Sequence, residues 1–129
     1  MNHPSYILKE NDSHLVIQDG VEVITKWLLD SALCYSVTKV TLGKDVKKIE
    51  KEVFEEWQLL TKVHFNDALE EVGEGAFLNC RSLKEIDFHN VKSVSEYTFV
   101  GCFSLTRIRF NNALEKVGAN ACQDFSFKN

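Results

Sequence analysis

Four stretches of this chain open alike: Val37-Thr-Lys-Val40-Thr-Leu42, Leu60-Thr-Lys-Val63-His-Phe65, Leu83-Lys-Glu-Ile86-Asp-Phe88 and Leu105-Thr-Arg-Ile108-Arg-Phe110. The steps between their first residues are 23, 23 and 22. Each stretch is followed by an apolar pair three apart, Val46/Ile49, Leu69/Val72, Val91/Val94 and Leu114/Val117. A short segment then closes the unit: Val53-Phe54-x-x-Trp57, Ala76-Phe77-x-x-Cys80, Thr98-Phe99-x-x-Cys102 and Ala121-Cys122-x-x-Phe125. A diverged first unit fits the same frame through Leu15, Ile17, Val21, Ile24, Leu28, Leu29 and Ala32, with extra residues around Cys34. Only Thr98 breaks the apolar columns. A unit this short cannot bury its apolar face alone, so the repeat demands that copies stack and share one continuous core.

The spacing inside the unit sets its local structure. Val63-x-Phe65 alternates with period two, which directs both side chains to one face of a strand and Lys62, His64 and Asn66 to the other. Ala76, Phe77 and Cys80 have the i, i+1, i+4 spacing of one helical turn, with Gly73 and Gly75 suited to the tight bend before it. The unit reads as strand, turn, short strand, helical turn, and five units make a solenoid. With 129 residues there is room for one domain and no second.

Leu-x-x-Ile/Val-x-Phe, then Val-x-x-Val-Gly, then Ala-Phe-x-x-Cys-x-x-Leu resembles the 22 to 23-residue leucine-rich repeat of the BspA type, most clearly over Leu60–Ser82 and Leu83–Ser104. The resemblance implies an α/β fold: a right-handed leucine-rich-repeat solenoid of about five repeats, with short parallel strands along one face and helical turns along another. It covers residues 14–127. Tyr6-Ile-Leu8, a polar Lys9–Ser13 turn and Leu15-Val-Ile17 look like the hairpin that often opens such arrays, so residues 1–13 are expected to belong to an N-terminal cap. Family members mostly serve as interaction or adhesion surfaces, often exported.

Composition excludes several other roles. Fifteen basic against 19 acidic residues, net charge −4, leave no electrostatic footprint for nucleic acid. No apolar run reaches the roughly 20 residues that span a bilayer, so membrane insertion is not expected. The start of the chain has neither the basic nor the apolar part of a signal peptide, and the four cysteines are widely spread without a Cys-x-x-Cys pair. Reduced thiols and a cytoplasmic location are the expectation. Cys80 and Cys102 share a column on adjacent rungs, at a separation that permits a disulfide, but parallel inward side chains favour buried thiols.

The solvent side of the first-strand sheet holds the candidate site. Its central column is Val16, Thr41, His64, Asp87 and Arg109, flanked by His14, Lys39, Lys62, Glu85 and Arg107 on one side and Gln18, Gly43, Asn66, His89 and Asn111 on the other, fifteen positions that are expected to form one continuous face. The expected partner-binding residues are Lys39, Thr41, Lys62, His64, Asn66, Glu85, Asp87, His89, Arg107 and Arg109. Two readings stand beside each other: a solvated sheet with mutually neutralising charges, and a recognition face for a protein, since solenoids bind through this surface. His64 beside Asp87 has the look of an oriented imidazole, but the column offers no adjacent nucleophile except Thr41, and a flat sheet has no oxyanion hole. No catalytic residue, metal site or cofactor is expected. Lys47-Lys48, Glu70-Glu71, Lys92-Ser93 and Glu115-Lys116 alternate in sign on successive rungs, which penalises a slipped register.

The function this predicts is a non-catalytic protein–protein interaction module. A fragment of a cell-surface adhesin or glycan-binding protein of the same repeat family is the alternative. At the C-terminal end, either Phe125 and Phe127 fold back over the last rung or that rung is an interface, favoured here as an end-to-end homodimer.

Overall fold

In each repeat the alternation of apolar and polar residues becomes a strand of three residues, and successive strands lie parallel, rung on rung. The computed structural model describes residues 5–122. β1 (Tyr6–Lys9) and β2 (His14–Ile17) form an antiparallel hairpin whose Tyr6 and Leu8 pack against the core. β3 (Val23–Ile24), β4 (Lys39–Thr41), β5 (Lys48–Ile49), β6 (Lys62–His64), β7 (Glu71–Val72), β8 (Glu85–Asp87), β9 (Ser93–Val94), β10 (Arg107–Arg109) and β11 (Lys116–Val117) then alternate between two sides. One side carries β1-β2-β4-β6 and, separately, β8-β10; the other carries β3-β5-β7-β9-β11. The result is a β-solenoid of about five turns.

Register follows the repeat. Leu15, Val40 and Val63 stand in line, as do Ile86 and Ile108, all facing inward. On the second side Ile24, Ile49, Val72 and Val94 form the matching column. Lys48 lies beside Glu71, and Lys92 reaches Glu70 at 3.1 Å, so the alternating charges do meet across rungs.

The third side corrects the sequence reading. The Ala76–Cys80 spacing predicts a helical turn, and no helix forms there. Alternate N–H groups leave the segment for the next rung: Gly75 donates to Glu96 O (2.9 Å), Phe77 to Thr98 O (3.1 Å) and Asn79 to Val100 O (2.8 Å). The intervening Ala76, Leu78 and Cys80 close tight turns onto Gly73, Gly75 and Phe77. An α-helix directs all its interior donors along its own axis; here half of them serve as a third ladder between rungs. The backbone achieves this by entering the left-handed region on either side of the turn, at Gly75 (φ 59°) and Asn79 (φ 61°), matched by Glu52 and Glu56 one rung earlier. Among the described residues helical geometry is confined to two short 3-10 turns in the diverged first unit, Lys26–Leu28 and Ser31–Tyr35, capped by the side chains of Thr25 and Asp30. That second turn puts Leu33 in the core and leaves Ala32 exposed, so Leu33 fills the place assigned to Ala32.

Two aromatic columns run through the interior. Phe54, Phe77 and Phe99 stack with centroids 5.4 and 5.9 Å apart and planes within 13°. Phe65, Phe88 and Phe110 form the neighbouring column, with centroid separations of 4.8 and 5.8 Å. Trp57 sits edge-on to Phe54 at 4.9 Å, in the column that Cys80 and Cys102 occupy on later rungs. Those two thiols are free, buried, and donate to the carbonyls of Phe54 and Phe77, each at 3.1 Å. Thr98 is fully buried, and its hydroxyl is satisfied by Ser95 O at 2.8 Å. In the last rung Phe110 and Leu114 are half-buried and Val117 is 42% exposed. Phe125, Phe127 and the rest of Gln123–Asn129 lie outside the described residues.

Candidate functional site

Side-chain clasps add to the ladders of the first sheet, two of them on each of the rungs that open at Leu60 and Leu105. A threonine just before the strand donates its hydroxyl to the carbonyl one rung back: Thr38 to Ser13, Thr61 to Thr38 and Thr106 to Lys84. An asparagine just after the strand ties into the preceding bend. Asn66 donates to Gly43 O (2.7 Å) and Val46 O (2.9 Å) and accepts from Leu69 N (3.0 Å), and Asn111 donates to Phe88 O and His89 O. The rung that begins at Leu83 lacks the threonine clasp, and its asparagine clasp sits one residue later, with Asn90 donating to Asp67 O at 2.9 Å. Lys84 stands where the units opening at Val37, Leu60 and Leu105 carry threonine, and His89 stands where the Leu60 and Leu105 units carry asparagine and the Val37 unit carries Gly43. The bend after its strand is also one residue shorter, with Phe88 and Val91 three apart where Phe65 and Leu69 are four apart.

There the sheet comes apart. Among the described residues no ladder joins β6 to β8; Lys84 N still donates to Thr61 O at 3.3 Å, at the start of the strands. The seam opens on the outward face as a slot of about 500 Å³ floored by Val63 and Phe65. Thr61, Lys62, Lys84 and Glu85 line it at the start of the two strands, and His64, Asp87 and His89 line it at their far end.

Charges around the slot are unevenly neutralised. Glu85 is held by Arg107 on the next rung at 3.7 Å, and His89 Nδ1 lies 2.8 Å from Asp67 Oδ1. Lys62 and Lys84 have no ion pair among the described residues. Partial burial, with Lys62 and Lys39 nearby, holds the His64 imidazole below its ordinary pKa. His14, whose Nε2 lies 2.8 Å from Thr41 Oγ1, is lowered by burial and by Lys39, against a smaller opposing effect of Glu10.

The ten sequence-selected residues therefore have different situations. Lys62, His64, Glu85, Asp87 and His89 converge on the slot. Lys39 and Thr41 lie one rung before it, with Lys39 3.8 Å from Glu10. Arg107 and Arg109 lie one rung after it, in register with Glu85 and Asp87. Asn66 is turned into the backbone as a clasp. The fifteen-position face is thus interrupted rather than continuous, and the slot walls that the sequence reading did not select, Thr61, Phe65 and Lys84, belong to it. The signal was present: the 22-residue step, and a lysine in the column that holds Thr38, Thr61 and Thr106 in the other three clear units. His64 and Asp87 line the same slot, yet among the described residues no hydrogen bond joins them. No three His, Cys, Asp or Glu side chains gather as a metal set among the described residues, and no described helix is long and apolar enough to cross a membrane.

The family model described as "BspA type Leucine rich repeat region" matches residues 31–129 in 6 copies. Among solved structures, a leucine-rich repeat protein of T. pallidum superposes with a TM-score of 0.75 at 23% identity, covering 92% of this chain and 63% of that one. A leucine-rich repeat protein from Bacteroides ovatus gives 0.66 at 27% identity, covering 86% of this chain and 34% of that one. The chain thus spans less than two thirds of either relative. A search of curated proteins returned no match.

Proposed function

We propose, from the premise that this chain belongs to the BspA-type leucine-rich repeat family, that it is a non-catalytic module that binds a protein partner through the outward face of its first sheet. The observation that carries this reading is the slot between β6 and β8. It gathers lysine, histidine and carboxylate side chains on exposed positions while the apolar side chains around it are closed into the core. Interfaces draw their energy from a small anchored centre and their specificity from surrounding charge. The slot is such a centre, with Lys39 on one side and Arg109 on the other as its charged rim. The β1–β2 hairpin acts as the cap of the N-terminal turn, closing the edge that β2 would otherwise leave open.

The test is capture of a partner from the source cells, repeated with Asp87→Arg and Arg109→Glu on the face and Lys51→Glu beside the other sheet. The reading requires a protein retained by the wild type and the Lys51 variant and lost by both face variants, all with unchanged melting temperature. Equal retention by all four proteins removes the face from consideration.

A further inference from the structure

The slot is polar along its length as well as open. At the start of the strands stand Lys62 and Lys84, both exposed; at the far end stand Asp87, His64 and His89. Lys62 and Glu85 occupy equivalent positions on adjacent rungs, where a closed ladder sets side chains about 4.8 Å apart. They form no ion pair, because the seam separates their strands and Glu85 turns to Arg107 instead. Two ammonium groups are thus left flanking the seam without an anion. The cavity of about 500 Å³ falls within the roughly 300–1,000 Å³ of ligand clefts.

We infer that the Lys62–Lys84 end of this slot receives the carboxylate of a glutamate or aspartate side chain on an extended acidic segment of the protein partner. This rests on the interaction-face reading above and specifies what anchors the partner to it. Charge complementarity selects the occupant. An anion entering at the lysine end meets two cations and one carboxylate, Glu85, whose charge Arg107 offsets at 3.7 Å; Asp87, which would repel it, stands at the opposite end with Arg109 in register beside it on the next rung. Lys84 stands in the column where three other rungs carry a threonine clasp, and it also supplies the charge.

The probe is acetyl-Gly-Glu-Glu-Gly-amide, with acetyl-Gly-Gln-Gln-Gly-amide as its uncharged counterpart, each titrated into isotope-labelled protein and followed by amide chemical shifts. The glutamate peptide should move Thr61, Lys62 and Lys84 with a saturable curve, and the glutamine peptide should not. Lys62→Gln with Lys84→Gln should weaken binding about five- to tenfold, the scale of two exposed ion pairs. Lys48→Gln with Lys51→Gln on the other sheet should leave the slot shifts unchanged. Equal shifts from both peptides, no shift at tens of millimolar, or full affinity in the Lys62/Lys84 double variant overturns the inference. The two proposals fail separately. A captured partner lost by Arg109→Glu but indifferent to the lysine pair keeps the face and discards the carboxylate slot. A slot that binds glutamate peptide in a protein whose partner ignores every face variant does the reverse.

Discussion

Replacing Phe77 with alanine tests the stacked-column architecture most directly. Phe77 is 0% exposed and sits between Phe54 at 5.4 Å and Phe99 at 5.9 Å, with Phe65 edge-on at 6.2 Å. Truncation removes ring contacts with both adjacent rungs at once, and the neighbouring side chains cannot close in, because the backbone of this rung is held by the β4–β6 ladder, by β5-β7-β9 on the second side and by the rung-to-rung bonds of the third. A buried phenylalanine truncated to alanine costs about 3–5 kcal/mol, against a total stability of roughly 5–15 kcal/mol for a domain of ordinary stability. At roughly 3–5 °C per kcal/mol for a chain of this size, Tm should fall by about 10–20 °C. Phe110→Ala supplies the internal control. Phe110 is half-buried in the last rung where Phe77 is fully buried, so its loss should be clearly smaller. Thermal and urea unfolding followed by circular dichroism read both variants. A Phe77→Ala protein that melts within about 3 °C of wild type, or a larger loss for Phe110→Ala, would refute the central placement of this column.

Gly73→Ala should destabilise by about 1–3 kcal/mol, since a methyl there meets Lys51 N at 2.6 Å and Glu50 C at 2.7 Å, backbone atoms that cannot move aside; the urea midpoint measures it. Burial pushes the Cys80 thiol well above its ordinary pKa, Cys102 up to about 12 and Cys122 up to about 11. With a thiol reagent at pH 8 the half-exposed Cys34 should therefore react first, and Cys80 and Cys102 should react only on unfolding, as mass spectrometry of the labelled protein would record. His14 and His64 both have imidazoles lowered relative to the unfolded chain, so unfolding takes up protons. Stability should decline as the pH falls from above the ordinary histidine value through their lowered folded values. His64→Gln should flatten that slope, and a steeper slope in the variant would contradict the sign.

The sequence by itself determined the solenoid, its rung length and which side chains face in. Those follow from a period and an alternation that leave a short unit only one way to bury its apolar face. The inward column Val40–Val63 and the outward pairing of Thr41 with His64 were legible for that reason, because period-two geometry allows no intermediate register. Tertiary structure decided where the backbone hydrogen bonds of the third side go. An i, i+1, i+4 pattern specifies which residues are buried, and a helical turn and a rung-to-rung ladder bury the same ones. Stacking tipped the balance toward the ladder, since each donor that leaves a turn finds a carbonyl fixed on the neighbouring rung, as Phe77 finds Thr98. Thr98 itself looked like a defect in an apolar column until Ser95 O supplied its partner. The slot belongs to both levels. Two departures at this rung, Lys84 in a threonine column and a missing bend residue, are written in the repeat alignment, but each is small. Only the three-dimensional stack shows that the first sheet parts there and opens on the outward face.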